Sequence, residues 1–213
     1  MDGTLIDSMP LHERSWALWH AELGLPYDEA GFFAATAGRT NMEILIDMFP
    51  GRPAAELERL AERKEALYRE IALRELQPIA GAEALCRQAR AQGFKLGLCT
   101  AAPPANIAVA LERFGWHELF DTIACPADGL RGKPHPDIFL AAAERLGVEA
   151  AQCLVFEDAP LGVEAARRGG MAAVALCTTL PAEAFASYPN VIAAMADFTQ
   201  YQLPSAQRET PHA

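Results

Sequence analysis

The sequence has no excess of positive charge: 18 Lys and Arg stand against 28 Asp and Glu in 213 residues, a formal net charge of −10. Nucleic-acid binding needs clustered basic side chains to neutralise phosphates, so no nucleic-acid partner is expected. No run approaches the roughly 18 consecutive apolar residues of a membrane-spanning helix. The N-terminus, with Asp2 in second place, lacks the basic stretch that opens a secretory signal, so no membrane partner is expected either. Paired cysteines are missing as well. Cys86, Cys99, Cys125, Cys153 and Cys177 are odd in number, scattered through apolar runs and without zinc-ligand spacing. They read as buried thiols in a reducing compartment, and the profile as a whole is cytoplasmic. Internal repeats and low-complexity tracts are absent. What is present is an acidic chain, 51% apolar, able to bury a substantial core in one domain or one and a half. Such a chain would have to handle phosphate with a few local cations.

The chain opens on Met1-Asp2-Gly3-Thr4-Leu5-Ile6-Asp7-Ser8, a tight polar turn of the kind that follows a buried strand, since Gly reaches positive φ without steric cost. From Pro10 to Leu76 it then reads as helix after helix. Leu11, Trp16, Leu18, Trp19 and Leu23 recur at helical spacing until Gly24-Leu25-Pro26. A second helix starts near Thr40 and ends at Pro50-Gly51, and a long third one runs roughly from Ala54 to Arg74. Residues 10–76 are thus expected to form a helical insert, with Trp16 and Trp19 in its core.

From residue 77 the pattern alternates. Helices over Ala82–Gln92, Pro104–Phe114, Asp137–Leu146 and Leu161–Arg168 separate apolar runs at Phe94–Cys99, Thr122–Cys125, Cys153–Phe156 and Ala172–Leu176. Short apolar strands between helices of about ten residues imply βαβ units and a parallel sheet buried on both faces. The fold class is therefore α/β, a Rossmann-like parallel sheet core (residues 1–9 and 77–213) with an inserted helical cap (residues 10–76). The tail after Pro204 is polar and expected to fray.

Ligands of such sheets bind beyond the carboxyl ends of the strands. There the opening turn supplies Asp2, the strand ending at Cys99 supplies Thr100 and Ala101, and the strand ending at Phe156 supplies Glu157 and Asp158. Lys133 stands between prolines in Gly132-Lys133-Pro134-His135-Pro136, a stiffened segment. Taken singly, Thr100 and Asp158 read as helix N-caps and Lys133 as a solvated side chain. Two adjacent acids after a buried strand repel one another unless a cation sits between them, and hard oxygen donors suit Mg²⁺. Cation, lysine, hydroxyl and helix N-termini together are equipment for holding a phosphoryl group.

Asp2-Gly3-Thr4-Leu5-Ile6-Asp7-Ser8, Leu98-Cys99-Thr100, Gly132-Lys133-Pro134-His135-Pro136-Asp137-Ile138-Phe139 and Val155-Phe156-Glu157-Asp158-Ala159-Pro160-Leu161-Gly162, in that order, resemble the haloacid dehalogenase superfamily. The closest resemblance is to its helical-cap branch, which includes β-phosphoglucomutase and many small-molecule phosphatases. The resemblance implies that Asp2 is the second aspartate of an Asp-x-Asp motif, a general acid/base whose backbone carbonyl also binds Mg²⁺. It implies that Thr100 and Lys133 hold the transferring phosphoryl group and that Glu157 and Asp158 hold the metal. The helical insert would close over the substrate.

In the superfamily the residue two before Asp2 is the aspartate that becomes phosphorylated, at the end of a central strand. Met1 stands at the middle position of that motif, so neither the nucleophile nor its strand lies within the sequence, and the chain as written is expected to be inactive. Either Met1 is an internal residue of a longer protein or the chain is a catalytically inactive phosphate-binding remnant. The intact state of the other motifs favours the first.

Substrate choice would fall to the cap. The substrate-binding candidates are His12, Arg39, Asn41, Lys64 and Ala101: His12 and Lys64 match positions of the mutases, whereas Asn41 stands where they carry an arginine. Arg39, two residues earlier, would be turned by about 200° on a helix. The expectation is a Mg²⁺-dependent phosphatase of a small phosphorylated metabolite, a sugar phosphate, with a β-phosphoglucomutase-like isomerase as the alternative.

Overall fold

The computed structural model describes residues 1–36 and 39–204. Gly38 of the cap segment and the polar tail after Pro204 therefore lie outside the described residues. The chain divides into two compact units: Ser8–Leu76, and Met1–Asp7 together with the chain from Gln77 onward.

The first unit is all helix: α1 (Met9–Glu22), α2 (Glu29–Thr36), α3 (Asn41–Met48) and α4 (Ala54–Glu75). A reciprocal cap starts α3, where Glu43 N donates to Thr40 Oγ1 at 3.2 Å and Thr40 N to Glu43 Oε2 at 2.7 Å, satisfying two N-terminal amides at once. The apolar stripes of α1, α3 and α4 meet in a core of Trp16, Trp19, Ile44, Leu45, Leu57 and Leu67. Trp19 Nε1 donates to Leu60 O at 3.0 Å, so a large apolar ring is buried without orphaning its donor. Periodicity reveals three helices here, and among the described residues the structure has four. The additional α2 is eight residues long with Gly31 inside it, too short for a periodic signal. Phe32 pins it in place, its ring tilted or edge-on against Trp16, His20 and Tyr27 at centroid distances of 5.0–5.5 Å.

The second unit alternates α5 (Ala82–Ala91), β1 (Gly97–Cys99), α6 (Pro104–Phe114), β2 (Thr122–Ala124), α7 (Asp137–Leu146), β3 (Leu154–Glu157), α8 (Pro160–Arg168), β4 (Ala172–Leu176) and β5 (Val191–Met195). Every strand pairing is parallel, as the helix-by-helix return of the chain requires. Among the described residues the strands form two sheets, β1–β2 and β3–β4–β5. The sequence reading ends the sheet at Leu176; the structure adds β5. Its run Val191-Ile192-Ala193-Ala194-Met195 was a legible strand signal with a turn at Pro189-Asn190 ahead of it. The apolar run from Phe94 is strand only from Gly97, for Phe94 is exposed and Lys95 Nζ donates to Leu146 O. Helix α8 lies tightly on β3 and β4 because Ala165, Ala166, Ala173 and Ala175 are all fully buried and small. No helix among the described residues is long and apolar enough to cross a membrane.

Residues 1–7 belong to this second unit. The Met1 carbonyl accepts from Leu5 N at 2.7 Å and from Thr4 N and Ile6 N at 3.2 Å, while Gly3, at φ +65°, donates to Ile6 O at 2.9 Å. Asp7 N→Gln77 O and Ile79 N→Leu5 O, both 2.9 Å, tie this winding to the segment that re-enters the unit.

Candidate active site

The carboxyl end of β3 delivers Glu157 and Asp158, both buried although charged. Unpaired carboxylates are costly in such a place, and each is engaged. Lys133 Nζ forms an ion pair with Glu157 Oε1, and Glu157 Oε2 accepts from Ala159 N at 3.3 Å. Asp158 accepts from Thr4 Oγ1 at 2.7 Å and from Thr179 Oγ1 at 2.8 Å. Burial and then the charge of Glu157 push the Asp158 carboxyl above its ordinary range, despite those two hydroxyls. Burial pulls Lys133 down, but the charge and hydrogen bond of Glu157, with Asp158 behind it, more than offset this and hold the ammonium above its usual value.

Two glycines make room for the acids. A Cβ on Gly162 would come within 2.1 Å of the Glu157 carboxyl carbon, and one on Gly3 within 2.1 Å of Asp158 Oδ2. Gly3 also has the positive φ that its tight turn needs, so both its backbone and its missing side chain are used. Thr178, just past β4, donates from Oγ1 to Gly3 O and fixes the opening turn from behind. The strand-end rule applied to β4 would have flagged Thr178 and Thr179; Thr4 and Gly3 carried only a turn signal.

The other sequence candidates of this unit gather at the same end. Cys99, the last residue of β1, lies within electrostatic reach of Lys133, the Met1 amino group and Glu157, and its own thiol is pushed up to about 11 by burial. Thr100 follows it, 2% exposed, with Oγ1 accepting from Ala102 N at 3.0 Å. That bond makes a local turn before α6 and leaves the hydroxyl proton to another acceptor. Ala101 is exposed, and Asp2 is partly buried and bridged to Ile6. Glu157 and Asp158 are two adjacent hard oxygen donors, and the raised Asp158 pKa is the mark of a charge that a cation would relieve, so the pair fits a divalent ion such as Mg²⁺. Among the described residues, no three acidic, His or Cys side chains converge as a metal-holding group.

In the helical unit His12, Lys64 and Asn41 fall into one chain of contacts. Lys64 Nζ lies 2.7 Å from His12 Nδ1 and 3.0 Å from Glu65 Oε1, and Asn41 Nδ2 donates to that same oxygen at 2.6 Å. His12 stacks on Tyr68 with ring centroids 3.9 Å apart and an interplanar angle of 5°. Arg39 stands outside this group, paired with Asp47 at 2.6 Å and donating to Glu43 O at 2.9 Å.

Parallel strands with helices between them, and a buried acid pair at the carboxyl end of β3 that meets Lys133 from a loop, mark this unit as an α/β protein with a charged site at one edge of its sheet. The family model for haloacid dehalogenase-like hydrolases matches residues 1–170. The chain belongs to that family. It is 33% identical over 186 residues to validoxylamine A 7'-phosphate phosphatase of Streptomyces hygroscopicus subsp. limoneus, covering 87% of each chain. It is 30% identical to the fructose-1-phosphate phosphatase of Escherichia coli (strain K12), covering 82% of this chain and 92% of the relative. With the β-phosphoglucomutase of Bacillus subtilis (strain 168) the identity is 31%, over 82% and 79%. A solved structure of a family IA, variant 3 HAD hydrolase from Entamoeba histolytica superposes with a TM-score of 0.87 at 26% identity, covering 95% of this chain and 93% of that one.

Proposed function

We propose that this protein is a Mg²⁺-dependent phosphoric monoester hydrolase whose substrate is a small phosphorylated metabolite of the sugar-phosphate class. The observation that carries the reading is the buried pair Glu157 and Asp158 beside Lys133, supported by the phosphatases among the relatives. Bound there with the Asp2 carbonyl, a magnesium ion would neutralise charge on the phosphoryl oxygens. Lys133 keeps two further N–H donors beyond the one on Glu157, and these with the Thr100 hydroxyl would orient the phosphoryl group. Asp2 would hand a proton to the leaving oxygen and take one from the attacking water. The nucleophile in this scheme is an aspartate carboxylate delivered beside Met1.

Hydrolysis is favoured over isomerisation by the helical unit. Isomerisation through a bisphosphate requires the distal phosphate to be held, and a bidentate guanidinium is the strongest clamp for it. Here the Asn41 amide is committed to Glu65, and Arg39 to Asp47, so neither is set as that clamp. The test uses the chain carrying a short apolar strand ending in Asp ahead of Met1. Inorganic phosphate release from hexose monophosphates should exceed conversion of β-glucose 1-phosphate to glucose 6-phosphate, and Asn41→Arg should move the balance toward isomerisation. Isomerisation outrunning phosphate release in the unmutated protein would overturn the reading in favour of the mutase, and robust hydrolysis by residues 1–213 alone, lost on Asp2→Asn, would refute the proposed nucleophile.

A further inference from the structure

Glu157 and Asp158 are neighbours in the chain, yet different chemistry holds each of them. Glu157 is paired with the Lys133 ammonium, which offsets its charge. Asp158 is held by two hydroxyls, one on each oxygen: Thr4 Oγ1 donates to Oδ1 at 2.7 Å and Thr179 Oγ1 to Oδ2 at 2.8 Å. A hydroxyl fixes the plane of a carboxylate without neutralising it. Of the roughly four lone-pair sites of a carboxylate these bonds use two, so acceptor capacity remains for a cation.

The two donors come from opposite ends of the chain, Thr4 from the opening turn and Thr179 from the loop after β4. That loop is tied down on both sides. Behind it, Cys177 N donates to Met195 O at 2.8 Å and fastens it to β5. Ahead of it, Pro181 leads into a short helical turn, Ala182–Phe185, whose Phe185 is buried in the core with Val163, Ala173 and Ala175. Within the loop, the Thr178 hydroxyl donates to Gly3 O. A Cβ on Gly3 would lie 2.1 Å from Asp158 Oδ2 and 2.9 Å from Thr179 Oγ1, so turn, carboxylate and threonine pack closely. Consecutive threonines therefore grip the opening turn with one hydroxyl and the acid with the next. Thr179 is itself exposed, so the core does not require its side chain.

We propose, on the reading in which Glu157 and Asp158 hold the divalent ion, that Thr179 is a positioning residue which makes the site selective for Mg²⁺ over Ca²⁺. Both ions have the same charge and take oxygen donors, so only geometry separates them. Mg²⁺ demands near-ideal octahedral geometry at about 2.0–2.1 Å, whereas Ca²⁺ takes roughly six to eight oxygens at about 2.3–2.6 Å in flexible arrangements, bidentate carboxylates included. A carboxylate clamped at both oxygens suits the smaller and stricter ion. Released at Oδ2, it would be free to turn about its Cβ–Cγ bond, which costs Mg²⁺ its fixed ligand and leaves the tolerant Ca²⁺ less affected.

The experiment follows free Mn²⁺, an ion suited to the same oxygen donors, by electron paramagnetic resonance in the presence of the full chain. Mg²⁺ or Ca²⁺ is titrated in as competitor. Thr179→Val keeps the shape of the side chain and removes the donor. It should weaken Mg²⁺ binding about 10- to 100-fold, the usual cost of losing a hydrogen-bond partner behind a metal ligand. The ratio of Mg²⁺ to Ca²⁺ affinity should fall at least about fivefold. Thr179→Ala, which removes the same donor with less surface, should do likewise, and Thr179→Ser, which keeps the hydroxyl, should restore both quantities to within about twofold. Asp158→Asn separates the two levels of the reading. Mg²⁺ binding that survives Asp158→Asn unchanged, or is absent from the unmutated chain, would refute the metal reading and the proposal with it. Binding that is lost in Asp158→Asn but unaltered in affinity and ratio in Thr179→Val would leave the metal reading standing and overturn the proposal. A Thr179→Val chain that melts lower with an unchanged ion ratio would show a hydroxyl that serves the fold alone, and would overturn it too.

Discussion

Replacing Lys133 with methionine tests the electrostatics of the site most directly. The ammonium and the Glu157 carboxylate are exposed by only 17% and 5%, so the pair is a buried one, not a solvent-screened surface bridge. Lys133→Met keeps the stem and removes the charge, leaving Glu157 buried beside Asp158 with no counter-ion. Breaking one side of a buried pair costs about 3–5 kcal/mol, against about 0–1 for an exposed pair. The loss should be read from exchange of the fully buried β4 amides Ala173–Ala175, which should speed up by about 10²- to 10⁴-fold. Replacing both partners, with Glu157→Leu added, should recover most of the loss, since an apolar pair of similar volume is often neutral. The pH dependence has a definite sign. Lys133 has its folded pKa raised, so its contribution is complete below the unfolded lysine value of about 10.4 and fades as pH climbs through the folded value. The gap between wild type and Lys133→Met should therefore be flat from about pH 6 to 9 and narrow above about 10. A change in exchange of less than about fivefold, the size an exposed ion pair gives, would refute this account of the site.

The remaining expectations concern neighbours of that pair. Asp158→Asn removes a buried charge whose pKa is raised by burial and Glu157. The wild-type chain without metal should gain stability as pH falls through the folded Asp158 value, and the variant should lack that gain while melting higher at pH 7 without Mg²⁺. In the extended chain used to test hydrolysis the same substitution should cost about a hundredfold or more in phosphate release; unchanged turnover would move the metal elsewhere. Gly162→Ala would place a methyl group against the Glu157 carboxyl, and overpacking of this kind costs about 1–3 kcal/mol, measurable by urea denaturation. The Cys86 and Cys99 thiols, pushed up from 9.0 to about 11 by burial, should carry about a hundredfold less thiolate at pH 8 than unperturbed ones, so mass spectrometry should find iodoacetamide on Cys153 before either.

Much of this protein is local in origin and was legible in residue order. Helices α1, α3 and α4 show themselves by apolar spacing and by stops at Gly24 and Pro50, and α5 to α8 by alternation with short apolar strands. The motifs around Asp2, Thr100, Lys133 and Glu157-Asp158, in that order, carried the resemblance to the family, and a parallel sheet brings its strand ends, here those before Thr100 and at Glu157, to one edge. Tertiary packing decided the rest. Helix α2 exists because the ring cluster of Trp16, His20 and Tyr27 receives Phe32, a contact that no window of eight residues contains. The ion pair of Lys133 with Glu157 links residues 24 apart, and the hold of Thr4 on Asp158 links residues 154 apart; sequence supplies the partners but not the pairing. Asn41 and Lys64 meet through Glu65, while Arg39 turns to Asp47. Division of the strands into two sheets among the described residues is likewise a property of pairing. Periodicity sets where a strand lies, but its neighbours are chosen by which backbone groups and side chains the whole fold brings within reach.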